Sequence, residues 1–397
     1  MKQQIGLYIH IPFCVQKCLY CDFLSFSGCP SEVQKDYVDA LQRELDSYRD
    51  LAKDYRVASV FVGGGTPSSL KEGMLAGIFS RIYEVFTVNE DAEITIECNP
   101  GTLNRDKLEE YYACKVNRIS FGLQSANNEE LKRIGRIHNY EQFVANYMLA
   151  REIGFRNINV DIMSALPGQN LTSYGRTLAK VLELNPEHIS AYSLIVEEGT
   201  PLSGNRELLE TLPNEQIDRK MYQYTQKIMH SMGYERYEIS NYAKPGFECR
   251  HNLGYWRGTA YLGIGLGAAS YFDNRRWHNT TDFDRYKQYS GDRFKLREDE
   301  TEVSMKGQIE EYMFLGLRCM KGISKTEFQK CFGYTVDDLY GNVIREYVEQ
   351  GFLKVYLDSD CNEWLALTEK GIDVSNYILA DFLLEEELEK TELNTLK

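Results

Sequence analysis

Residues 8–23 read YIHIPFCVQKCLYCDF and place three cysteines, Cys14, Cys18 and Cys21, in one short loop. Three thiolates at this spacing can bind three irons of a [4Fe–4S] cubane and leave the fourth iron open for chemistry. A structural zinc site would need a fourth ligand at finger spacing, but the next cysteine, Cys29, lies eight residues further on. The motif therefore predicts an iron–sulfur cluster, with a structural zinc or a redox thiol loop as the alternative.

Strand-like runs alternate with longer amphipathic stretches from residue 5 to about residue 200. The predicted strands are Leu7–Ile11, Ser59–Val62, Glu93–Glu97, Arg118–Phe121, Ile158–Met163 and Ile189–Leu194. Between the first two strands, apolar residues recur every three to four positions over 31–49, which predicts a helix with Ser31 as its N-cap. Six βα units of this kind predict an α/β fold, a partial (β/α)6 barrel of the TIM type.

Polar and glycine-rich residues follow the predicted strands at their C-terminal ends, where the working residues of such barrels lie. The loop Gly63-Gly64-Gly65-Thr66 follows the second strand, and its backbone can approach a ligand closely. Glu97, Gln124 and Asp161 each end a later strand, so we expect these side chains to converge on one mouth. Arg136 can fork onto a carboxylate. The pattern predicts a ligand cradle; the alternatives are a tight strand–helix turn, an internal salt bridge and a solvated helix charge.

The segment from Tyr8 to Phe23 resembles the HemN/HemW branch of the radical S-adenosylmethionine (SAM) proteins, and the resemblance covers nearly the whole chain. It implies that the three cysteines carry a [4Fe–4S] cluster whose open iron chelates the methionine end of SAM, so that an electron can break a C–S bond. The SAM contacts that it implies are Tyr8, Tyr20, Gly64, Gly65, Thr66, Glu97, Gln124, Arg136 and Asp161. Within that set, the glycine loop is expected to hold the methionine amino group.

Two further parts follow the predicted radical SAM core, to which we assign residues 1–235. Residues 236–300 are rich in tyrosine and glycine without a simple period, and we interpret them as a connecting region that carries a candidate functional surface. Residues 301–397 place helices and two short strands in the order of a winged helix, which predicts a mostly helical C-terminal domain. The acidic stretch 384–389 favours a lid or docking role for this domain over nucleic-acid binding.

Charge and hydropathy argue against two kinds of partner. The formal net charge is −14 and the pI is near 5.1, whereas affinity for nucleic acid comes from Lys and Arg that neutralise phosphates. No segment approaches the roughly 20 apolar residues that span a bilayer. Because the first strand-like run follows Met1–Gly6 directly, we expect no targeting segment and a cytoplasmic location.

Two functions compete within this branch: oxygen-independent coproporphyrinogen III dehydrogenase, and HemW, a haem-binding protein that delivers haem to acceptors. Three features favour HemW. The dehydrogenase pattern has a further cysteine two residues after the third ligand, where this chain has Phe23. Dehydrogenases also carry a substantial segment before the cluster loop, whereas Cys14 comes almost at the start here. The third feature is His251-Asn252-x-x-Tyr255-Trp256, which looks like the HemW signature.

This resemblance makes His251, Tyr255 and Trp256 candidates for haem contact, since a histidine can ligate haem iron and aromatic rings can pack on a porphyrin. A hydrogen-bonded structural histidine is the alternative for His251, and Cys249 is a second candidate ligand. Many family members have a histidine where this chain has Ala269. If that histidine serves haem, this chain has lost a contact.

We therefore expect a cytoplasmic HemW-like protein with three bound groups: a [4Fe–4S] cluster, SAM, and haem as cargo. The expected partners are haem, haem-acceptor proteins that include membrane-associated ones, and a second copy of the chain in a homodimer; nucleic acid is not expected. Whether SAM is cleaved stays open. The alternatives are a radical SAM enzyme that acts on a tetrapyrrole, such as coproporphyrinogen III dehydrogenase, and a scaffold that binds only the cluster.

Overall fold

Six parallel strands form the centre of the computed structural model, which describes residues 3–384. In chain order they are β1 (Gln3–Ile11), β2 (Tyr55–Gly64), β3 (Val88–Cys98), β4 (Arg118–Gln124), β5 (Ile158–Ser164) and β6 (His188–Ser193). Each strand pairs in parallel with the next. The six predicted strands and the partial barrel are thus confirmed, although most of the strands begin or end a few residues beyond the predicted bounds.

Helices connect and cover these strands. They are α1 (Ser31–Asp46), α2 (Met74–Val85), α3 (Arg105–Ala113), α4 (Asn128–Arg133), α5 (Tyr140–Ile153), α6 (Leu171–Glu183), α7 (Arg206–Leu209) and α8 (Glu215–Ser231). Asn139 and Asn170 close capping boxes, which satisfy the first free N–H groups of α5 and α6. The prediction that Ser31 caps α1 was wrong. Pro30 holds the N-cap position without a side-chain hydrogen bond, and its restricted φ leads the chain into the helix.

Successive residues of β1 face different layers of the barrel, as the pleat of a strand requires. Leu7, Ile9 and Ile11 are fully buried in the main apolar core. Tyr8 instead stacks with Phe61 of β2, their ring centroids 6.3 Å apart. The barrel interior is therefore aromatic at this level, below the polar residues that end the strands.

Residues 235–302 extend the sheet at both edges. Their strands are β7 (Glu235–Arg236), β8 (Asn241–Ala243), β9 (Tyr261–Ile264), β10 (Ala269–Phe272), β11 (Arg275–Asn279) and β12 (Arg297–Glu302), and their helices are α9 (Arg250–Trp256), α10 (Phe283–Tyr289) and α11 (Arg293–Leu296). β8 pairs antiparallel with β6, while β9 pairs in parallel with β1 and is followed by β10, β11 and β12, so the sheet has 12 strands. The interpretation of this stretch as a connecting region missed these strands.

A second unit follows the sheet and has its own apolar core, which includes Ile309, Phe328 and Ile344. Its elements are α12 (Met305–Gly316), β13 (Ile323–Ser324), α13 (Lys325–Phe332), α14 (Val336–Glu349), β14 (Leu353–Leu357), β15 (Glu363–Leu367), α15 (Glu369–Ile372) and α16 (Ser375–Ala380). This order confirms the predicted winged-helix-like, mostly helical domain. Every helix within residues 3–384 is too short or too polar to cross a membrane. Of the acidic stretch, residues 385–389 lie outside the described residues.

Candidate functional site

A cavity of about 330 Å³ opens at the carboxyl ends of the barrel strands. The predicted site residues that line it are Cys14, Cys18, Tyr20, Cys21, Gly64, Gly65, Thr66, Glu97, Gln124, Arg136 and Asp161. Tyr8 lies deeper in the barrel, where its hydroxyl is 3.0 Å from Nδ1 of His10. Apart from Tyr8, the structure brings together the cysteine loop and the strand ends that the sequence predicted to converge.

Backbone contacts with neighbouring loops hold the cysteine loop in place. Leu19 N–H donates to the Ile134 carbonyl at 3.0 Å, and the Leu19 carbonyl accepts from Leu202 N–H at 2.8 Å. The Gln16 side chain donates to the Gly135 carbonyl at 3.0 Å. The loop is therefore anchored on both sides by residues more than 100 positions away in the sequence.

The three cysteines of this loop are free thiols and half-buried. Among residues 3–384, no three His, Cys, Asp or Glu side chains lie close enough to share one metal ion. A [4Fe–4S] cubane does not need three ligands on one ion, because each cysteine binds a different iron. Three free thiols on one anchored loop fit this arrangement.

Two donors point at sulfur atoms of the loop. Thr66 Oγ1 lies 3.5 Å from Cys14 Sγ, and Arg136 Nη1 lies 3.4 Å from Cys18 Sγ. The Arg136 guanidinium also donates to Asn99 Oδ1 at 2.7 Å. Such donors stabilise thiolates and metal-bound sulfur. Arg136 is thus not the solvated helix charge that was the alternative; it joins the cysteine loop to the end of β3.

The glycine loop packs backbone to backbone against the segment that enters the cysteine loop. Gly65 N–H donates to the Ile11 carbonyl at 2.9 Å. A Cβ on Gly65 would lie 2.7 Å from the Phe13 carbonyl oxygen, and Gly64 adopts a φ of +108°. Close backbone approach and a left-handed conformation therefore require glycine here. The contact of this loop with the amino group of SAM stays a prediction.

Two carboxylates face the cavity and accept hydrogen bonds from neutral donors. Glu97 Oε2 accepts from Gly64 N–H at 3.2 Å, and Asp161 Oδ1 accepts from the Asn159 amide at 2.7 Å. Desolvation and the neighbouring Asp161 raise the pKa of Glu97 to about 8, and desolvation also raises the pKa of Asp161. The buried Arg118 guanidinium acts on both groups without forming a salt bridge to either, so both carboxyl groups stay suited to a cationic ligand.

Gln124 ends β4 with a φ of +69°, and its Oε1 accepts from the Tyr192 hydroxyl at 3.0 Å. The sequence did not mark this tyrosine as a cavity residue, nor other polar residues that line the cavity: Asn99, Ser120, Ser190, Ser240, Asn241, and Asn252 of the signature motif. A signal existed for two of the missed residues. Asn99 follows Glu97 at the end of β3, and Tyr192 stands near the end of the last predicted strand.

The motif 251–256 lies on α9, which packs inside the barrel against β2. The Glu93 carboxylate accepts from the N–H groups of Arg250 and His251 at 3.0 Å each, so two N–H groups at the start of α9 that lack partners within the helix are hydrogen-bonded. Trp256 does not line the space that His251 and Tyr255 share, and the Arg318 guanidinium lies 5.8 Å from the centroid of the Trp256 ring. The structure thus does not bring the three haem candidates together around one space.

His251 is buried, with 4% of its surface exposed, and both of its ring nitrogens have partners. Nδ1 lies 2.8 Å from Ser59 Oγ, and Nε2 lies 2.9 Å from the Tyr255 hydroxyl. Burial lowers the pKa of His251 to about 3. The second candidate ligand, Cys249, is fully buried and donates to Glu93 Oε1 at 3.4 Å. Iron ligation by either residue would require these contacts to be given up, which favours the structural role for His251.

The raised pKa of Glu97 predicts a pH effect on stability. Between pH 4.5, the ordinary value, and about 8, the folded state holds a proton that the unfolded state has released, so stability falls as pH rises. Removing the ionisable group in Glu97→Gln should reduce this fall. We expect the melting temperature of the cluster-free protein to drop between pH 6 and pH 8 by roughly 2 °C more in the wild type than in the variant.

The exposed Glu109 provides the control, because Glu109→Gln should show the wild-type pH dependence. Glu44, whose buried carboxyl also has a raised pKa, acts in the same direction in all three proteins and cancels in the comparison. Equal drops in wild type and Glu97→Gln would contradict the assignment.

Two protein-family models match the chain. The model described as the Radical SAM superfamily matches residues 8–181, and the model described as the HemN C-terminal domain matches residues 303–374. These matches fall on the barrel and on the winged-helix-like unit.

Named relatives match nearly the full length. A protein called "Heme chaperone HemW" from Lactococcus lactis is 36% identical over 97% of this chain and 99% of that protein. The proteins of the same name from Bacillus subtilis and Escherichia coli are each 36% identical, over 95% and 96% of this chain and 99% and 98% of their own lengths.

A solved structure titled as coproporphyrinogen III oxidase (HemN) from Escherichia coli, a radical SAM enzyme, superposes with a TM-score of 0.83. The match covers 96% of this chain and 90% of that chain at 24% sequence identity. At this identity the likeness shows the fold alone.

Proposed function

Because the chain belongs to the family of the heme chaperones named HemW, we propose that it binds haem and passes it to acceptor haemoproteins. This proposal depends on three relatives that share the name HemW and match this chain over nearly its full length. The proposed acceptors include membrane-associated proteins, and the proposed state is a cytoplasmic homodimer. The [4Fe–4S] cluster and SAM that the radical SAM family implies are assigned to the cavity at the barrel mouth.

The donor set of the cavity fits both groups. Three half-buried free thiols would hold the cluster, which when bound would supply an electron for cleavage of a C–S bond of SAM. Glu97 and Asp161 offer two carboxylates with neutral partners to a molecule that carries an ammonium and a sulfonium. Arg136 offers a guanidinium to its carboxylate.

The chain's own residues do three things at this site. Thr66 and Arg136 donate toward Cys14 and Cys18 and would stabilise cluster-bound sulfur at these positions. The glycine loop forms the wall beside the cysteines and packs close to the segment before them, because a Cβ on Gly64 or Gly65 would clash with His10 or with the Phe13 backbone. Tyr20, within the cysteine loop, lines the same space and is proposed to meet the adenine through its backbone.

The dehydrogenase alternative depends on chemistry at the same mouth. Phe23, which stands where that pattern has its further cysteine, lines the cavity and is 63% exposed. The likeness to the coproporphyrinogen III oxidase structure shows the shared fold, which fits either function. The cargo therefore has to be tested directly.

An anaerobic titration of the cluster-loaded protein with haem tests the proposed function. We expect saturable binding of about one haem per chain, followed by transfer to an added apo-haemoprotein. The visible spectrum reports both steps, because the Soret band changes when iron gains or loses a protein ligand.

The paired control replaces haem by coproporphyrinogen III with SAM and a reductant. Accumulation of the product with two vinyl groups would overturn the chaperone proposal in favour of the enzyme. Binding of haem that never saturates would overturn it as well. The same titration on His251→Ala tests whether the motif histidine contributes to haem affinity.

A further inference from the structure

A groove of about 480 Å³ lies on the outer strands of the sheet, between β9, β10 and β11 and the side of α12. We call it the tyrosine groove and define it by Tyr255, Tyr261, Tyr271, Arg276 and His278. It is separate from the cavity at the barrel mouth, with which it shares no lining residue. Resting on the proposed function, we propose that the tyrosine groove is the haem site and that Nε2 of His278 is an axial ligand of the iron.

Strand register places the side chains of this groove on one face. Tyr261 lies opposite Tyr271, and Tyr271 lies opposite Arg276. Ala269 lies opposite His278. Residues directly opposite each other in an antiparallel pair point to the same side of the sheet. Three aromatic or cationic side chains and one histidine thus share a surface on which Ala269, the smallest residue, leaves open space beside the imidazole.

His278 has the hydrogen bonding that orients a histidine toward a metal. Its Nδ1 lies 3.0 Å from the Asn279 carbonyl oxygen, a contact that fixes the ring and directs Nε2 outward. Nε2 lies 2.9 Å from Oδ2 of Asp299, and that carboxylate is 86% exposed. An exposed carboxylate is replaced by iron at little cost, because water can take over its hydrogen bond.

His251 differs from His278 in this respect. Its two ring nitrogens are engaged inside the barrel by Ser59 and Tyr255, whereas the side chain of His278 is 35% exposed at the groove. Access and a single weak partner at Nε2 favour His278 as the iron ligand. Ala269 is its cross-strand neighbour and is exposed, so the space beside the imidazole is open on this face of the sheet.

The remaining groove residues match the rest of a haem molecule. Tyr255 and Tyr261 meet edge to face with ring centroids 4.5 Å apart, and such rings can pack on the apolar porphyrin. The Arg276 guanidinium lies 5.0 Å from the Tyr271 ring centroid, pairs with Glu311 at 2.8 Å and is 44% exposed, which leaves part of its edge open to a propionate. The tyrosine groove thus offers a contact to the iron, to the porphyrin ring and to the propionates of haem on one surface.

The test is a ferric haem titration of the full chain with three variants. His278→Ala should raise the dissociation constant at least about tenfold and shift the Soret band, and free imidazole should restore the wild-type spectrum because it replaces the lost ligand. Ala269→Trp should block binding by filling the groove while it leaves His278 in place. His230→Ala, at an exposed histidine on α8 outside the groove, should bind like the wild type.

The outcomes separate this proposal from the proposed function. If the wild-type chain binds no haem saturably, the proposed function fails. If the wild type binds while His278→Ala and Ala269→Trp keep its affinity within twofold and its spectrum, the function stands and the groove is the wrong site. Loss of the axial-ligand spectrum in His251→Ala but not in His278→Ala would likewise overturn the groove.

Discussion

Replacing Cys18 by alanine is expected to remove the iron–sulfur cluster, so that iron and sulfide fall from about four per chain to below about one after anaerobic reconstitution. Two thiolates would leave two irons of a cubane without protein ligands, and the alanine would also remove the sulfur that the Arg136 guanidinium approaches at 3.4 Å. Iron and sulfide analysis, with the broad visible absorption of the cluster, measures the loss.

Two other cysteines provide matched controls for this substitution. Cys29 is the next cysteine in the chain and is half-buried, and Cys331 is exposed on the C-terminal unit. Alanine at either position should leave the iron content unchanged. Wild-type iron in Cys18→Ala would contradict the three-cysteine site, and loss of iron in Cys29→Ala would show that the ligand set is larger than predicted.

The central strands could be predicted because their signal is local. All seven residues of β4 are buried, and strands that are covered on both faces read as short apolar runs between turns. The repeated spacing of such runs by amphipathic helices then indicates parallel βα units. Residue propensity and the spacing of apolar residues were sufficient to predict the central strands, because each of them pairs with the next strand along the chain.

The outer strands could not be found in this way. β9 pairs with β1, more than 250 residues earlier in the chain, so no local sequence pattern predicts this pairing. β11 reads RRWHN, and its place in the sheet depends on register with β10 and with Arg297–Glu302. A Cβ on Gly263 would clash with the Ala269 backbone, so close chain approach requires glycine where a strand pattern would show a side chain.

The same division holds at the candidate site. The cysteine loop and the strand ends are local features, and the sequence could place them at one mouth. The partners of those residues are not local: Tyr192 reaches Gln124 across 68 positions, and Ser59 reaches His251 across 192. The cavity could therefore be predicted from the sequence, whereas the hydrogen bonds that decide which side chains can still bind a ligand could not.

Replacing Arg136 by glutamine is expected to weaken SAM binding about 30-fold, since charged hydrogen bonds to a carboxylate contribute about 2 kcal/mol. Glutamine keeps a neutral donor near Cys18 and Asn99 but lacks the charge and the fork of the guanidinium, which also donates to the Gly122 carbonyl. Equilibrium binding of SAM to the cluster-loaded protein measures the change, with iron content determined on the same samples to separate loss of SAM from loss of the cluster.

Arg133→Gln is the matched control, because Arg133 ends α4 and donates to the Pro167 carbonyl at 3.3 Å. A dissociation constant within threefold of the wild type, at full iron content in Arg136→Gln, would show that Arg136 serves the cysteine loop and not the ligand.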